Sequence, residues 1–305
     1  MLRSLYSGIS GMKANQTKMD VVGNNVANVG TTAYKKTGTR FSDSLYQNMI
    51  YASKPGNGIG GVNPGQVGIG VKVSGIFKNM QQGAIQPTGR PTDLAIDGDG
   101  FFRVQVSKGN YAYTRDGSFA LDTAGNLVTA DGYYVIGKPI VDDTGATIND
   151  PIIRIPKAID VKTGKIVDMD PAKPLPADAK RVLTFNFSKD GKLSYLLEDG
   201  TKMPYEDPTT KKIIGPQQAL DIAVFRNPEG LESLGGNLYK TSSNSGEALK
   251  TDVLGKINQG AIEMANVDLS EEFTEMIVTT RAFQASSKII TTSDELLQEI
   301  INLKR

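Results

Sequence analysis

The chain has 305 residues, 39% of them apolar, with 34 Lys and Arg against 33 Asp and Glu for a net charge of +1. That is length enough for a buried core, and it offers no global pull towards nucleic acid or an anionic membrane surface. There is no His, Cys or Trp, which excludes a Ser-His-Asp triad, a thiol nucleophile, a Cys or His zinc site and an iron–sulfur cluster.

The first 50 residues read as a helix, an irregular turn and a second short helix. Steps of alternating three and four from Leu2 reach Leu5, Ile9, Met12, Gln16, Met19, Gly23 and Val26, an apolar stripe at heptad spacing. Beside it lie Ser7, Gly8, Ser10, Gly11 and Ala14, small enough for another backbone to come close. Met1 to Gly8 lacks the apolar core of a signal peptide, and no run of the chain has the length of an apolar membrane span. The expectation is a chain with no membrane insertion and no address for general secretion. Asn24, Asn25 and Asn28 near the end of the stripe supply backbone-capping, turn-tolerant side chains, which by themselves predict a helix C-cap.

Residues 53–70 are rich in glycine and read as an extended connector. Within them Gly56-Asn57-Gly58-Ile59-Gly60-Gly61 matches a dinucleotide fingerprint in letters only. Pro55 precedes it where a strand is needed, and Asn63-Pro64-Gly65 follow where a helix should start. Asp97-Gly98-Asp99-Gly100 resembles the start of a calcium loop, but Phe101 and Phe102 occupy the next ligand and glycine positions, so a tight turn into a strand is expected.

From about residue 70 to 255 the periodicity is that of strands. Phe102, Val104 and Val106 alternate with Arg103 and Gln105, and Leu183, Phe185 and Phe187 with Thr184 and Asn186. Turn signals such as Lys108-Gly109-Asn110, Asp131-Gly132 and Asp190-Gly191 recur between them. Most acids of this region sit in such turns, so a carboxylate pair for glycoside hydrolysis is not indicated. Pro171, Pro174 and Pro176 mark a surface excursion.

Residues 268–305 form the clearest helix. Asp268 with Glu271 fits a capping box, and steps from Leu269 reach Phe273, Met276, Phe283, Ile290, Leu297 and Ile301. A helix of this length would run about 57 Å and calls for a coiled-coil partner. The two ends are opposite in charge: residues 1–50 hold six basic against two acidic side chains, and residues 268–305 hold seven acidic against four basic. The fold class expected is α+β, with long N- and C-terminal helices forming a coiled coil around a central, mostly β domain. The divisions are a helical domain of residues 1–50 and 262–305, extended connectors at 51–71 and 250–261, and a β domain at 72–249 with an insertion around 160–215.

Several segments in one order resemble the bacterial flagellar rod and hook axial proteins. They are Asn24-Asn25-Val26-Ala27-Asn28 with Tyr34-Lys35, Asp97-Gly98-Asp99-Gly100-Phe101-Phe102, Tyr113-Thr114-Arg115-Asp116-Gly117-Ser118-Phe119, Asn227-Pro228-Glu229-Gly230-Leu231, Gly236-Asn237-Leu238-Tyr239 and Asn266-Val267-Asp268-Leu269. Met1 to Met12, Gln66 to Val71 and Glu271 to Arg305 are most similar to the hook protein, with the distal rod protein as the alternative, since the middle has room for one β domain. Ala33 stands where the family has Gly. The resemblance implies a non-enzymatic subunit without cofactor or metal. It would be exported by the flagellar type III apparatus and polymerise into a hollow helical tube, extracellular hook or basal-body rod, beside rod, hook-cap and hook–filament junction proteins. A surface adhesin or binding module is the reading from another class.

The candidate assembly interface sets Leu2, Leu5, Ile9, Met12, Met19 and Val26 against Phe273, Met276, Phe283, Ile290, Leu297 and Ile301, within or between subunits, with Asn24, Asn25 and Asn28 at the turn. Ordering a backbone costs about 1–2 kcal/mol per residue. The termini are therefore expected to fold only on polymerisation.

Overall fold

The computed structural model describes residues 2–55, 60–141, 147–148, 151–160, 166–167, 179–206, 213–214, 216–249 and 255–303. The chain divides into two compact units: residues 1–29, 35–79 and 267–305 make the first, and residues 30–34 and 80–266 the second.

Two helices dominate the first unit, α1 (Leu2–Ala27) and α2 (Leu269–Leu303), both where their periodicity places them. They run antiparallel: Gly8 of α1 lies against Ile290, Gly11 against Ser286, and Lys18 pairs with Glu275. The second short helix expected before residue 50 is absent. In its place are strands β1 (Thr37–Asp43) and β2 (Tyr46–Ile50), paired antiparallel with β4 (Val71–Lys78) and β3 (Gly65–Gly68). Thr37, Thr39 and Phe41 suit an extended backbone, but the deciding partner, Val71 to Phe77, lies some thirty residues away and a local pattern does not reveal it. The outer part of the expected glycine-rich connector is therefore the second leg of a two-stranded ribbon. Residues 56–59, which carry most of the dinucleotide-like letters, lie outside the described residues.

Among its described residues the second unit is built of strands and turns, apart from one turn of 3₁₀ helix at Pro228–Gly230. Strands β5 (Ile85–Pro87) and β6 (Leu94–Asp97) pair with Ala261–Glu263 and Lys256–Gln259, so the described end of the expected 250–261 connector is strand. Strands β7 (Phe101–Ser107) and β8 (Asn110–Thr114) form the hairpin centre of an eight-stranded sheet. That sheet runs from Glu232–Gly235 and Leu238–Lys240 through β8 and β7 to Tyr134–Val135, Leu127–Val128 and Ala120–Leu121, and Ile222–Ala223 adds its eighth strand by pairing with β7. A five-stranded sheet holds Ala158–Asp160, Ala179–Phe187 and Leu193–Leu197 in its middle. The proline-rich excursion at 168–178 lies outside the described residues.

Leu94, Ile96, Phe102, Val104, Phe119, Leu127, Ile153 and Tyr195 form the main core of this unit, all essentially inaccessible to solvent. A second cluster stacks Phe101, Tyr113, Phe225 and Tyr239 edge to face, with ring centroids 4.8–5.8 Å apart. Two strand expectations fail for one reason. Val106 and Leu183 are 38% and 61% exposed because each is the extra residue of a bulge, between Gln105 and Ser107 and between Val182 and Thr184, which turns it off the buried face. Asp97 to Gly100 is a turn joining β6 to β7, with φ of +109° at Gly98 and +144° at Gly100, conformations that favour glycine.

Candidate assembly surface of the terminal helices

At the C-terminal end of α1, Asn28 donates to the Asn24 carbonyl at 2.9 Å and to its side-chain oxygen at 3.0 Å, the capping expected of these residues. Asn25 does more. It is 1% exposed, its Nδ2 donates to the Thr37 carbonyl (2.8 Å) and to Glu272 Oε2 (3.1 Å), and its Oδ1 accepts from the Thr37 amide (3.0 Å) and hydroxyl (3.1 Å). One amide thus joins α1, the start of β1 and the first turn of α2.

Glu272 is fully buried and lies 2.8 Å from Lys36 Nζ, which also meets Glu271 at 3.0 Å. Burial pushes the Lys36 ammonium down, but hydrogen bonds and charge from Glu272 and Glu271 reverse this and leave its pKa above the ordinary lysine value. Asp268 caps α2 through the amides of Ser270 (2.8 Å) and Glu271 (3.3 Å). The first-turn acids that follow it are favoured by the helix dipole, and Glu271 turns its carboxylate to Lys36. In the sequence Lys36 and Glu272 count only among the terminal charges, with Glu272 a first-turn acid of α2, and neither is placed at the interface; the opposite charge of the two ends is the signal that points to them.

Small residues of α1 let α2 come close. A Cβ added to Gly8 would stand 2.9 Å from Ile290 Cγ1, and one added to Gly11 2.9 Å from Ser286 Oγ. Gly8, Ala14, Val22 and Asn25 are the buried positions of α1, and Glu272, Thr279 and Ser293 those of α2. Met276, Phe283, Ile290 and Leu297 lie half-buried between them. The predicted α1 stripe is rotated away from this line. Leu5, Met12, Met19 and Val26 are half-buried, Ile9 is 40% exposed, and the side chain of Leu2 is outside the described residues. Asn24 is exposed and Asn28 half-buried. Phe273 and Ile301 are 50% and 63% exposed. Within one chain, then, the structure brings four of the six predicted α2 residues to the helix pair and leaves the other two outward. The reason is steric: glycine and alanine permit an approach that Leu, Ile and Met rows would hold apart.

The outward faces carry a large apolar load. Besides Phe273, α2 exposes Ile277, Val278, Ile289, Leu296, Ile300 and Leu303. It is nine residues longer than α1. On the ribbon Leu45, Tyr46, Met49, Ile50 and Tyr51 are all more than half exposed. So many large apolar side chains left in solvent are uncommon on a subunit that works alone. Among the described residues no group of three or more acidic side chains could hold a metal ion, and no described helix is long and apolar enough to cross a membrane.

Residues 95–195 match the family described as flagellar hook protein FlgE/F/G D1 domain, residues 258–303 the flagellar basal body rod FlgEFG protein C-terminal family, and residues 5–35 the flagella basal body rod protein family. The chain is 44% identical over 310 residues to the flagellar basal-body rod protein FlgG of Bacillus subtilis, covering the whole of both. It is 34% identical over 311 residues to FlgG of Borreliella burgdorferi and 33% identical over 442 residues to the flagellar hook protein FlgE of the same organism, again covering the whole of both chains in each case.

Proposed function

The chain belongs to the bacterial flagellar rod and hook axial protein family, and from that premise we propose that it polymerises through its terminal helices into the tube of the basal-body rod. It is a structural protein of the flagellum, of hook or rod, and not an enzyme. Rod and hook proteins polymerise and associate with other axial proteins, which is the use the exposed faces of α2 and the ribbon support. In the assembled tube the outward stripe of Phe273, Ile277, Leu296 and Ile300 would be covered by neighbouring copies, and the helices would form the inner coiled-coil layer. Export by the type III apparatus and contacts with hook-cap and junction proteins belong to the same reading.

The observation that carries the rod over the hook is length. Relatives named rod proteins align end to end over 310 and 311 residues, whereas relatives named hook proteins need 442 and 464. The hook is the second reading, supported by full-length identity of 33% to a hook protein. Electron microscopy of basal bodies from the source bacterium with the gene deleted separates the two. A truncated rod is expected; a complete rod lacking only its hook would assign the chain to the hook.

A further inference from the structure

The inner face of α2 repeats every seven residues. Glu272, Thr279, Ser286 and Ser293 form a polar row, and Met276, Phe283, Ile290 and Leu297 an apolar one. The hydroxyls of Thr279, Ser286 and Ser293 each donate to the carbonyl four residues earlier in their own helix, at 2.7, 2.9 and 2.8 Å. Satisfied there, they ask nothing specific of α1, which presents Gly8, Gly11 and Ala14. Sliding α2 by one heptad, about 10.5 Å at 1.5 Å per residue, would set Thr279 or Ser293 against Gly11 where Ser286 now lies, and Phe283 or Leu297 against Gly8 where Ile290 now lies, a hydroxyl and an apolar side chain again on small residues. Apart from the partly exposed Lys18–Glu275 pair at 3.3 Å, a kind of contact worth little in water, the seam over most of its length does not distinguish one alignment from the next.

Glu272 breaks the repeat. It is the one charged member of the polar row, fully buried, and it is held by Asn25 at 3.1 Å and Lys36 at 2.8 Å. Asn25 is in turn tied to Thr37 by three further bonds. Any heptad slip would leave this carboxylate buried against groups that do not match it, or carry it out of reach of both partners. We propose that Asn25, Glu272 and Lys36 form a register pin: a buried polar cluster that selects a single alignment of α1 and α2 and contributes little net stability. Polar groups buried in helix seams act this way elsewhere, fixing register at some energetic cost, and well-packed apolar replacements of buried ion pairs are often neutral or stabilising. The inference holds whichever flagellar segment the chain builds.

The absence of native cysteine makes a clean test possible in the full chain. A Cβ on Gly11 would lie 3.6 Å from Ser286 Cβ, within the range a disulfide needs. In the otherwise native protein, the Gly11→Cys/Ser286→Cys pair should oxidise at least about tenfold faster than the slip reporters Gly11→Cys/Ser293→Cys and Gly11→Cys/Thr279→Cys. In the Asn25→Val/Glu272→Met/Lys36→Met background the helix content by circular dichroism should persist while the native and slipped pairs oxidise at rates within about threefold of each other. Comparable slip cross-linking with the pin intact would overturn the proposal. So would strict native cross-linking without the pin. Loss of helix in the apolar background would make the cluster a stability element and overturn it equally.

Discussion

The two units differ most in the size of the apolar groups they bury. The β unit encloses large apolar groups, Phe102, Phe119, Leu94 and Tyr195 among them, with next to no solvent access. The helical unit buries Gly8, Ala14, Val22, Asn25, Thr279, Ser293 and a carboxylate, and exposes Phe273, Ile277, Leu296 and Leu303. The first arrangement is that of a part stable by its own burial. The second keeps apolar area in reserve, as a subunit does whose faces are completed by other copies. The contrast also separates stability from assembly, and each can be broken without the other.

The largest effect expected is in the β core. Phe102→Ala removes a fully buried ring that packs edge to face on Phe119 at 5.2 Å; it should cost about 3–5 kcal/mol, read by urea unfolding of the β-unit signal, with the helical signal less affected. Next is the buried pair of Arg115 and Glu263, 3.3 Å apart, in which Glu263 also accepts from the Gly83 amide at 2.9 Å. Glu263→Gln leaves the guanidinium buried against a neutral group and should cost roughly 2–4 kcal/mol in the same assay; a loss below about 0.5 kcal/mol would show the pair to be incidental.

Alkali gives a third, intermediate effect. Burial first, then the charges of Tyr34 and Glu263, pushes the Tyr239 phenol up to about 12. A group whose folded pKa is raised stabilises the fold fully below its unfolded value and loses that contribution as pH rises through the folded value. Stability should therefore fall between about pH 10 and 12, by on the order of 2–3 kcal/mol. Tyr239→Phe should flatten the curve over that window. Lys36, also raised, adds a loss of the same sign above its ordinary value of 10.5.

A smaller gain is expected at Ala33, which is fully buried with φ of +54° and donates to the Glu263 carbonyl at 2.8 Å. A residue with a Cβ is strained there, so Ala33→Gly should stabilise by about 0.5–1 kcal/mol, measured as a rise in thermal midpoint. Smallest of all for the single chain is Leu296→Asp on the outward face, within about 0.5 kcal/mol by unfolding. Yet it should abolish tubes in electron microscopy at rising protein concentration, which a purely internal role for α2 would not predict.

In the linear chain α2 is legible to within two residues at either end, because it carries sustained heptad spacing and Asp268 is a recognisable cap, and α1 is legible as a stripe from Leu2 to Val26. Their mutual orientation is not. The apolar stripe from Leu2 to Val26 is the stronger pattern, but glycine and alanine beside it permit the closer approach, and contact distance decides which line becomes the seam. Asn25 read as one cap among three because its partners Thr37 and Glu272 lie 12 and 247 residues away. Strand β7 was recognisable from Phe102 and Val104, while Val106 and Leu183 were misjudged because a bulge depends on the register of a neighbouring strand.

Composition alone removed the chemistry of His and Cys, and local periodicity alone placed both long helices and the turn-rich β middle, since these depend on neighbours a few positions away. Which helix face turns inward, that residues 37–50 are strands and not helix, and that one asparagine, one glutamate and one lysine meet in a buried cluster were decided only in three dimensions. Each depends on contacts between residues far apart in the chain, whose distances and burial no local pattern encodes.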